Sequence, residues 1–449
     1  MTTARRELAA RIWSRDPTVW TGRDEARWLG WLDEPFRMRD EAETLSEQVA
    51  ALSDGFEEVV LFGMGGSSLA ADVFRQAFGS TRLHVLDTTH PTTIRSLESG
   101  LDLPKTLFLA ASKSGSTIET RAHLEYFWKR APHGRQWAVV TDPGSELAHV
   151  AHERAFAAVF PGEPTIGGRY SALSPFGLVP AALAGADLAR LLDRACAMAE
   201  ACRLDAGNPG LDLGLALGDG WNDGRDKVCV TNPHGFGLWV EQLVAESTGK
   251  DGKGLIPVPG SQATGPDCQS HDVLLTDPYD LGAAFFCWEF ATAVAGAHLG
   301  VHPFDQPDVQ SAKDRTTIAL EKGDAPLASI SSAEELYASA RAGDYVCVQA
   351  FVDPTSKTLE AVSAIAEHAR AATGCVVTTG FGPRYLHSTG QLHKGGPNTG
   401  LFLQVVEEYE PELEIPGHPF GFGQLIRAQA AGDLDALVER DRRVARIVL

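Results

Sequence analysis

The sequence predicts an α/β protein made of two doubly wound parallel-sheet domains, with helical segments at both ends. Three observations carry this expectation. The run Val59-Val-Leu-Phe62 is continuously apolar, feeds a turn containing Gly63, Gly65 and Gly66, and continues into Leu69, Val73, Phe74 and Phe78 at helical spacing. A second buried run, Thr106–Ala110, ends in Ser112-Lys-Ser-Gly-Ser-Thr117 and again leads into a helical pattern. Strand–helix alternation then resumes beyond residue 206.

Taken in order, residues 1–52 read as an N-terminal helical segment anchored by Trp13, Trp20, Trp28 and Trp31, with a packing role. Residues 53–205 form the first domain. Its strands are expected at Val59–Phe62, Leu83–Leu86, Thr106–Ala110, Trp137–Thr141 and Ala157–Phe160, with helices at Ser67–Phe78, Thr117–Trp128 and Ser145–Arg154. The Ala/Leu-rich stretch Pro175–Arg203 reads as helical and links the halves. Residues 206–420 form the second domain, with strands at Lys227–Thr231, Gly254–Val258, Asp272–Leu275, Tyr345–Phe351, Cys375–Thr379 and Leu401–Val405. Helices at Phe236–Ser247, Ala283–Leu299 and Ser356–Ala371 lie among them. Residues 421–449 read as a helical tail whose charge cluster, Glu439–Arg443, is a solvated face.

Composition narrows the function classes. The chain has 449 residues, 44% of them hydrophobic and 22% charged, which suits a soluble protein with a large core. A formal net charge of −20 argues against nucleic-acid and anionic-membrane partners. The seven cysteines are scattered without C-x-x-C spacing, so neither a disulfide framework nor a zinc site is expected, and Cys229, Cys287 and Cys347 read as core thiols. The N-terminus lacks an apolar leader, and the apolar helix around Ala283–Leu299 is interrupted by Glu289 and His298. A cytoplasmic location without a membrane span is the expectation.

Both strand-ending turns have the chemistry of an anion site. A glycine turn opening a helix aims backbone N–H groups and the positive end of the helix dipole at one spot. Gly63-Met-Gly65-Gly66 alone is a weak signal, because Ser68 stands where G-x-G-x-x-G needs its third glycine. The second turn decides the matter. One hydroxyl suffices to cap a helix, and Glu119 in the first turn fits a plain cap, yet Ser112, Ser114, Ser116 and Thr117 crowd together. Two such turns at the carboxyl edge of one sheet could share a phosphate.

These two turns resemble the phosphate-site turns of the sugar isomerase (SIS) fold, and further motifs narrow the resemblance to the glucose-6-phosphate isomerase family. Gly167-Gly-Arg169-Tyr-Ser171 is similar to that family's G-G-R-[FY]-S signature, and Glu246-Ser-Thr-Gly-Lys250 to its E-S-N-G-K motif. Phe304-Asp-Gln306 through Lys313 resembles F-D-Q-x-x-V-x-x-x-K. Leu386-His387 through Gly396 is most similar to the isomerase portion of transaldolase–isomerase fusion proteins, although the motifs leave no room for a transaldolase barrel.

The resemblance implies two SIS-type α-β-α sandwiches, an aldose–ketose isomerisation of glucose 6-phosphate and fructose 6-phosphate, no metal or cofactor, and a homodimer. It puts substrate and phosphate contacts on Gly66, Ser67, Ser112, Ser114, Thr117 and Gln306, while Lys113 shares the loop without an assigned contact. Glu246, at the end of the apolar helical run Leu238–Val244, suits the base that moves a proton between C2 and C1. Arg169 follows two glycines and suits the stabilisation of enediolate charge. Lys313 matches the family's C-terminal lysine, and Lys250 has the family's lysine position without a definite role. Ring opening needs a histidine. The family's segment Q-H-[SA]-F-Y-Q-L-I-H-Q-G places it on His393, with His387 next and His271 as a remote third. The family has its histidine segment before its lysine segment; here the order is reversed.

Two other readings stand beside this one. A non-catalytic phosphosugar-binding SIS regulator would need the hydroxyl turns but not Glu246, Arg169 and Lys313 together. A nicotinamide-dependent enzyme has only Asp87, well spaced as a ribose ligand, in addition to the incomplete glycine fingerprint.

Overall fold

A computed structural model of the chain describes residues 3–261, 265–308, 315, 316, 318, 320 and 332–449. The first sheet comprises β1 (Glu58–Phe62), β2 (Leu83–Leu86), β3 (Thr106–Ala111), β4 (Trp137–Thr141) and β5 (Ala158–Pro161). Its strands are all parallel, in the order β2-β1-β3-β4-β5. Alternate residues of β1 and β3 enter separate cores: Val59, Leu61, Leu107 and Leu109 face one way, Val60, Phe62, Phe108 and Ala110 the other. A strand covered on both faces has no position for a polar residue, hence the unbroken apolar runs.

The helices of this half are α1 (Thr3–Trp13), α2 (Glu34–Ser53), α3 (Leu69–Ala77), α4 (Pro91–Gly100), α5 (Ile118–Trp128), α6 (Glu146–Glu153), α7 (Pro175–Leu183) and α8 (Leu188–Ala201). Residues of α4, α5 and α6 join one core, and those of α1, α2, α3, α7 and α8 the other. Because β1 lies between β2 and β3, the chain leaves β1 and β3 in opposite lateral directions. The crevice between them, at their carboxyl ends, is where doubly wound sheets bind ligands.

The second half contains α9 (Pro209–Asn222), α10 (Phe236–Thr248) and α11 (Asp280–Leu299). It has two parallel sheets among the described residues. One is β7-β6-β8, from β6 (Lys227–Val230), β7 (Ile256–Pro259) and β8 (Cys268–His271). The other is β10-β9-β11-β12, from β9 (Tyr345–Phe351), β10 (Val376–Phe381), β11 (Gly400–Val406) and β12 (Arg443–Val448). The N-terminal tryptophans anchor the first half to α11: Trp13 stacks on Phe286 at 6.1 Å, and Trp20 Nε1 donates to Ala293 O at 2.8 Å.

Four local expectations change. The strand placed at Asp272–Leu275 lies earlier, at Cys268–His271; the Val-Leu-Leu run continues past the ladder, leaving Leu274 82% exposed. The polar β8 is buried at Gln269, whose amide donates to Arg225 O at 2.6 Å. Helix α9 was hidden by its glycines, which sit at helical spacing against α11. A Cβ on Gly214 would lie 2.5 Å from Ala291 O, so bare backbone is what allows the two helices to approach. Helix α4, opened by Pro91 after a His90 cap, was also not anticipated.

The fourth change is at the C-terminus. A long helix (Phe422–Val438) is present there, and β12 follows it as an edge strand of the second half. The arginines of the charge cluster are accordingly engaged rather than simply solvated. Arg440 pairs with Asp308 at 3.0 Å, Arg442 donates to Lys394 O at 2.7 Å, and Arg443 grips Asp344 at 2.6 and 2.8 Å. Among the described residues, no helix is long and apolar enough to cross a membrane.

Candidate active site

The turn after β1 is shaped by what it touches. Gly65 has φ +54°, and a Cβ there would lie 2.4 Å from His387 O and 2.8 Å from Gln242 Nε2. A Cβ on Gly66 would lie 2.1 Å from Gly168 O. The glycines therefore serve contact as well as conformation: this turn lies directly against the Gly167–Ser171 turn, α10 and the His387 segment. Ser67 closes a single 3₁₀ turn, Gly65–Ser67, ahead of α3.

The turn after β3 is built from hydroxyls. Ser112 Oγ and Thr117 Oγ1 are 2.9 Å apart, and Gly115 N donates to Ser112 Oγ at 3.1 Å. Ser114 Oγ and Ser116 Oγ are also 2.9 Å apart, and both residues are exposed. Thr117 occupies the N-cap of α5 but makes no side-chain cap bond, so capping does not account for it. Lys113 turns away, donating to Asp142 Oδ1 at 2.7 Å and Glu163 O at 3.0 Å.

Arg169 and Glu246 meet beside these turns. Arg169, 3% exposed, donates through Nε to Ser247 Oγ (2.8 Å), through Nη1 to Gln306 Oε1 (2.9 Å), and through Nη2 to Pro303 O (2.7 Å) and Asp305 O (2.9 Å). Its Nη1 lies 3.6 Å from Glu246 Oε2. Gln242, one helical turn before Glu246, donates to Glu246 Oε2 at 3.2 Å and to His387 O at 2.8 Å. Lys250 reaches the same loop, bonding His302 O and Asp305 Oδ1; burial first, then the Arg169 charge, pulls its ammonium pKa down to about 7.

The histidines separate cleanly. His387 sits at the end of a 3₁₀ turn (Arg384–His387), with Nε2 2.8 Å from Glu119 Oε1 on α5. His393 is 2% exposed in the core of the second half, 3.2 Å from Gln349 Nε2 and 4.9 Å ring-to-ring from Phe402. Burial, reinforced by Lys394 and Arg442, holds its pKa well below the ordinary histidine value. His387, not the sequence-preferred His393, is thus the histidine that faces Glu119 and the strand-end turns. The shortened segment put the first histidine on a turn and the second on a short helix, Gly390–Gly395, packed inward. His271 lies apart on β8, bonded to Gln269 at 2.9 Å. Lys313 lies outside the described residues.

The structure thus brings together Gly66, Ser67, Arg169, Glu246, Gln306 and His387, with Ser112, Ser114 and Thr117 on the adjacent strand end. Three further residues contact these candidates directly or through one neighbour: Gln242 on Glu246, Glu119 on His387, and Gln429 on Glu119. Gln242 has a legible signal in its spacing of four before Glu246; in sequence Glu119 reads only as part of a helix cap; Gln429, on the C-terminal helix, carries no local signal.

No protein-family profile matches the chain. Curated relatives carry the name glucose-6-phosphate isomerase. That of Thermus thermophilus is 42% identical over 174 residues, 36% of this chain and 41% of the relative. That of Trichormus variabilis is 35% identical over 215 residues, 44% of this chain and 40% of the relative. A probable glucose-6-phosphate isomerase of Methanococcus maripaludis is 30% identical over 252 residues, 52% of this chain and 57% of the relative. The chain thus spans about half the length of the curated relatives it matches. Among solved structures, a glucose-6-phosphate isomerase from Chlamydia trachomatis has a similar fold, with TM-score 0.55 and 20% identity over 70% of this chain and 78% of that one. The resemblance to this family holds, and the fold is the expected α/β one with parallel sheets.

Proposed function

We propose that the protein interconverts glucose 6-phosphate and fructose 6-phosphate by ring opening followed by proton transfer between C2 and C1. One observation carries the reading: a buried arginine–carboxylate pair, Arg169 and Glu246, stands beside two strand-end turns suited to phosphate. A sensor needs the turns; it has no use for a buried carboxylate held against a guanidinium.

The phosphate is received by the hydroxyls of Ser67, Ser112, Ser114 and Thr117, with backbone N–H groups around Gly66 and at the start of α5. In the ring-opening step the C1–O5 bond breaks, the C1 hydroxyl loses its proton and O5 gains one. His387, oriented by Glu119, moves that proton, with Lys313 as its partner on the strength of the family resemblance. Glu246 then takes the C2 proton, electron density moves onto the C1 oxygen to give an enediolate, and Arg169 stabilises that charge. The O2 proton passes to O1, and return of the carbon-bound proton from Glu246 to C1 leaves C2 as the carbonyl of the ketose. No oxidant is needed, because C2 is oxidised as C1 is reduced. Gln306 and Gln242 fix the positions of Arg169 and Glu246.

A coupled assay of fructose 6-phosphate to glucose 6-phosphate with purified protein and excess EDTA tests this. Turnover is the expected result. Folded protein without turnover would leave the phosphosugar-binding regulator as the better reading, and loss of turnover with chelator would remove the metal-free mechanism.

A further inference from the structure

Glu119 Oε1 accepts two hydrogen bonds, one from His387 Nε2 at 2.8 Å and one from Gln429 Nε2 at 2.7 Å. The Gln429 amide is fixed from its other end, where Thr89 Oγ1 donates to Gln429 Oε1 at 2.9 Å. Thr89, Glu119 and Gln429 are all buried. We propose that Gln429 is a positioning residue for ring opening, holding the Glu119 carboxylate and, through it, the His387 imidazole. The inference rests on the isomerase reading above.

The physical reason lies in where the three residues come from. Glu119 is on α5 in the first half, His387 is on a turn of the second, and Gln429 is on the C-terminal helix that touches both. Phe422 at one end of that helix stacks on His123 of α5 at 5.5 Å. Beyond Gln429, Asp433 pairs with Lys394 at 2.5 Å and accepts from Tyr385 Oη at 2.6 Å, two residues before His387. A carboxylate that must orient a histidine across such a junction needs a second fixed donor, or it rotates with the imidazole. Neighbouring His123 adds no competing charge: burial pushes its pKa down to about 4, and its Nε2 donates to Thr88 O at 2.9 Å.

Gln429→Met and Thr89→Val, each in the full chain, test the proposal. Anomer interchange of glucose 6-phosphate, followed by exchange NMR, reports ring opening and closure without the C2 step. Steady-state isomerisation gives kcat and KM, and thermal melting reports folding. Gln429→Met slows anomer interchange about tenfold, the loss expected for one hydrogen bond to a charged group. KM moves less than about twofold, because the residue does not touch the phosphosugar. Thr89→Val, isosteric and gentler on folding, gives a smaller loss in the same direction and carries the test should the methionine variant not fold. Wild-type anomer interchange in either folded variant overturns the proposal. So does a loss of kcat, KM and melting temperature in step, which marks a packing role only. A wild-type protein that neither anomerises nor isomerises overturns the isomerase reading, and the inference falls with it.

Discussion

Arg169 meets two partners with one nitrogen: Nη1 lies 2.9 Å from Gln306 Oε1 and 3.6 Å from Glu246 Oε2. The hydrogen bond goes to the amide, and the carboxylate stays at ion-pair distance. Glu246 is therefore held near a positive charge without being capped by it, the condition a base needs if its oxygen is to reach a substrate carbon.

On the proposed mechanism, Glu246→Gln removes the base but keeps the shape. Exchange of the C2 proton is expected to fall on the order of 10²–10⁴-fold, the usual contribution of a positioned base. Phosphosugar binding persists, since the hydroxyl turns are untouched. Solvent deuterium incorporation measured by NMR, with calorimetry for binding, checks both; exchange at the wild-type rate would put the base elsewhere.

Arg169→Lys tests geometry rather than charge. A single ammonium cannot serve Ser247, Gln306 and two loop carbonyls at once. The kcat falls by on the order of 10²–10³, as for loss of a preorganised charge donor. Buried Pro303 O loses its donor as well, at a cost of about 1–3 kcal/mol. Steady-state kinetics and urea unfolding measure the two effects, and a lysine variant with wild-type kcat would take Arg169 out of the chemistry.

How much of this was legible in the sequence follows from how local each signal is. Strands β1 and β3 and their turns could be read because burial on both faces writes an unbroken apolar run, and the tight turns that follow are written in glycines and hydroxyls. Glu246 and Arg169 stood in short motifs. Which of His387 and His393 is buried in the core is not written in the sequence, since both fall in one segment and only packing decides which faces inward. Gln429 and Glu119 are 310 residues apart, and nothing in either neighbourhood announces the other. Helix α9 and strand β12 were concealed by glycines and by charges whose partners lie elsewhere in the fold.

His387→Ala and His393→Ala separate a proton shuttle from a core residue. The first abolishes anomer interchange at a smaller cost in melting temperature than the second, because Glu119 keeps its bond from Gln429. The second destabilises the fold by about 2–4 kcal/mol, through a cavity and an orphaned Gln349 amide. Exchange NMR and thermal melts on both variants distinguish them; the reverse pattern would restore His393 as the ring-opening residue.

Acid sensitivity has a definite sign at His123. Its folded pKa of about 4 lies below the ordinary value of 6.5, so the unfolded chain binds the proton first. Its stability contribution is complete above 6.5 and is lost as pH falls toward 4, with a limiting slope of about 1.4 kcal/mol per pH unit. Urea unfolding at several pH values between these limits should show a shallower slope in His123→Leu. An unchanged slope would assign the acid lability to other groups, His393 first among them.

Two glycines that face each other make opposite predictions. A Cβ on Gly66 would strike Gly168 O at 2.1 Å, whereas a Cβ on Gly168 would meet nothing within 4 Å among the described residues. Gly66→Ala must therefore push the β1 turn away from the turn that carries Arg169. Both kcat and melting temperature fall. Gly168→Ala leaves the melting temperature where it was, since no described residue obstructs the methyl group. If the open space beside Gly168 is where the sugar lies, that variant instead raises KM, by an amount set by the steric conflict alone. Kinetics and thermal melts on the two variants decide the point: a Gly168→Ala protein with wild-type KM would place the sugar on the other side of the Arg169 turn.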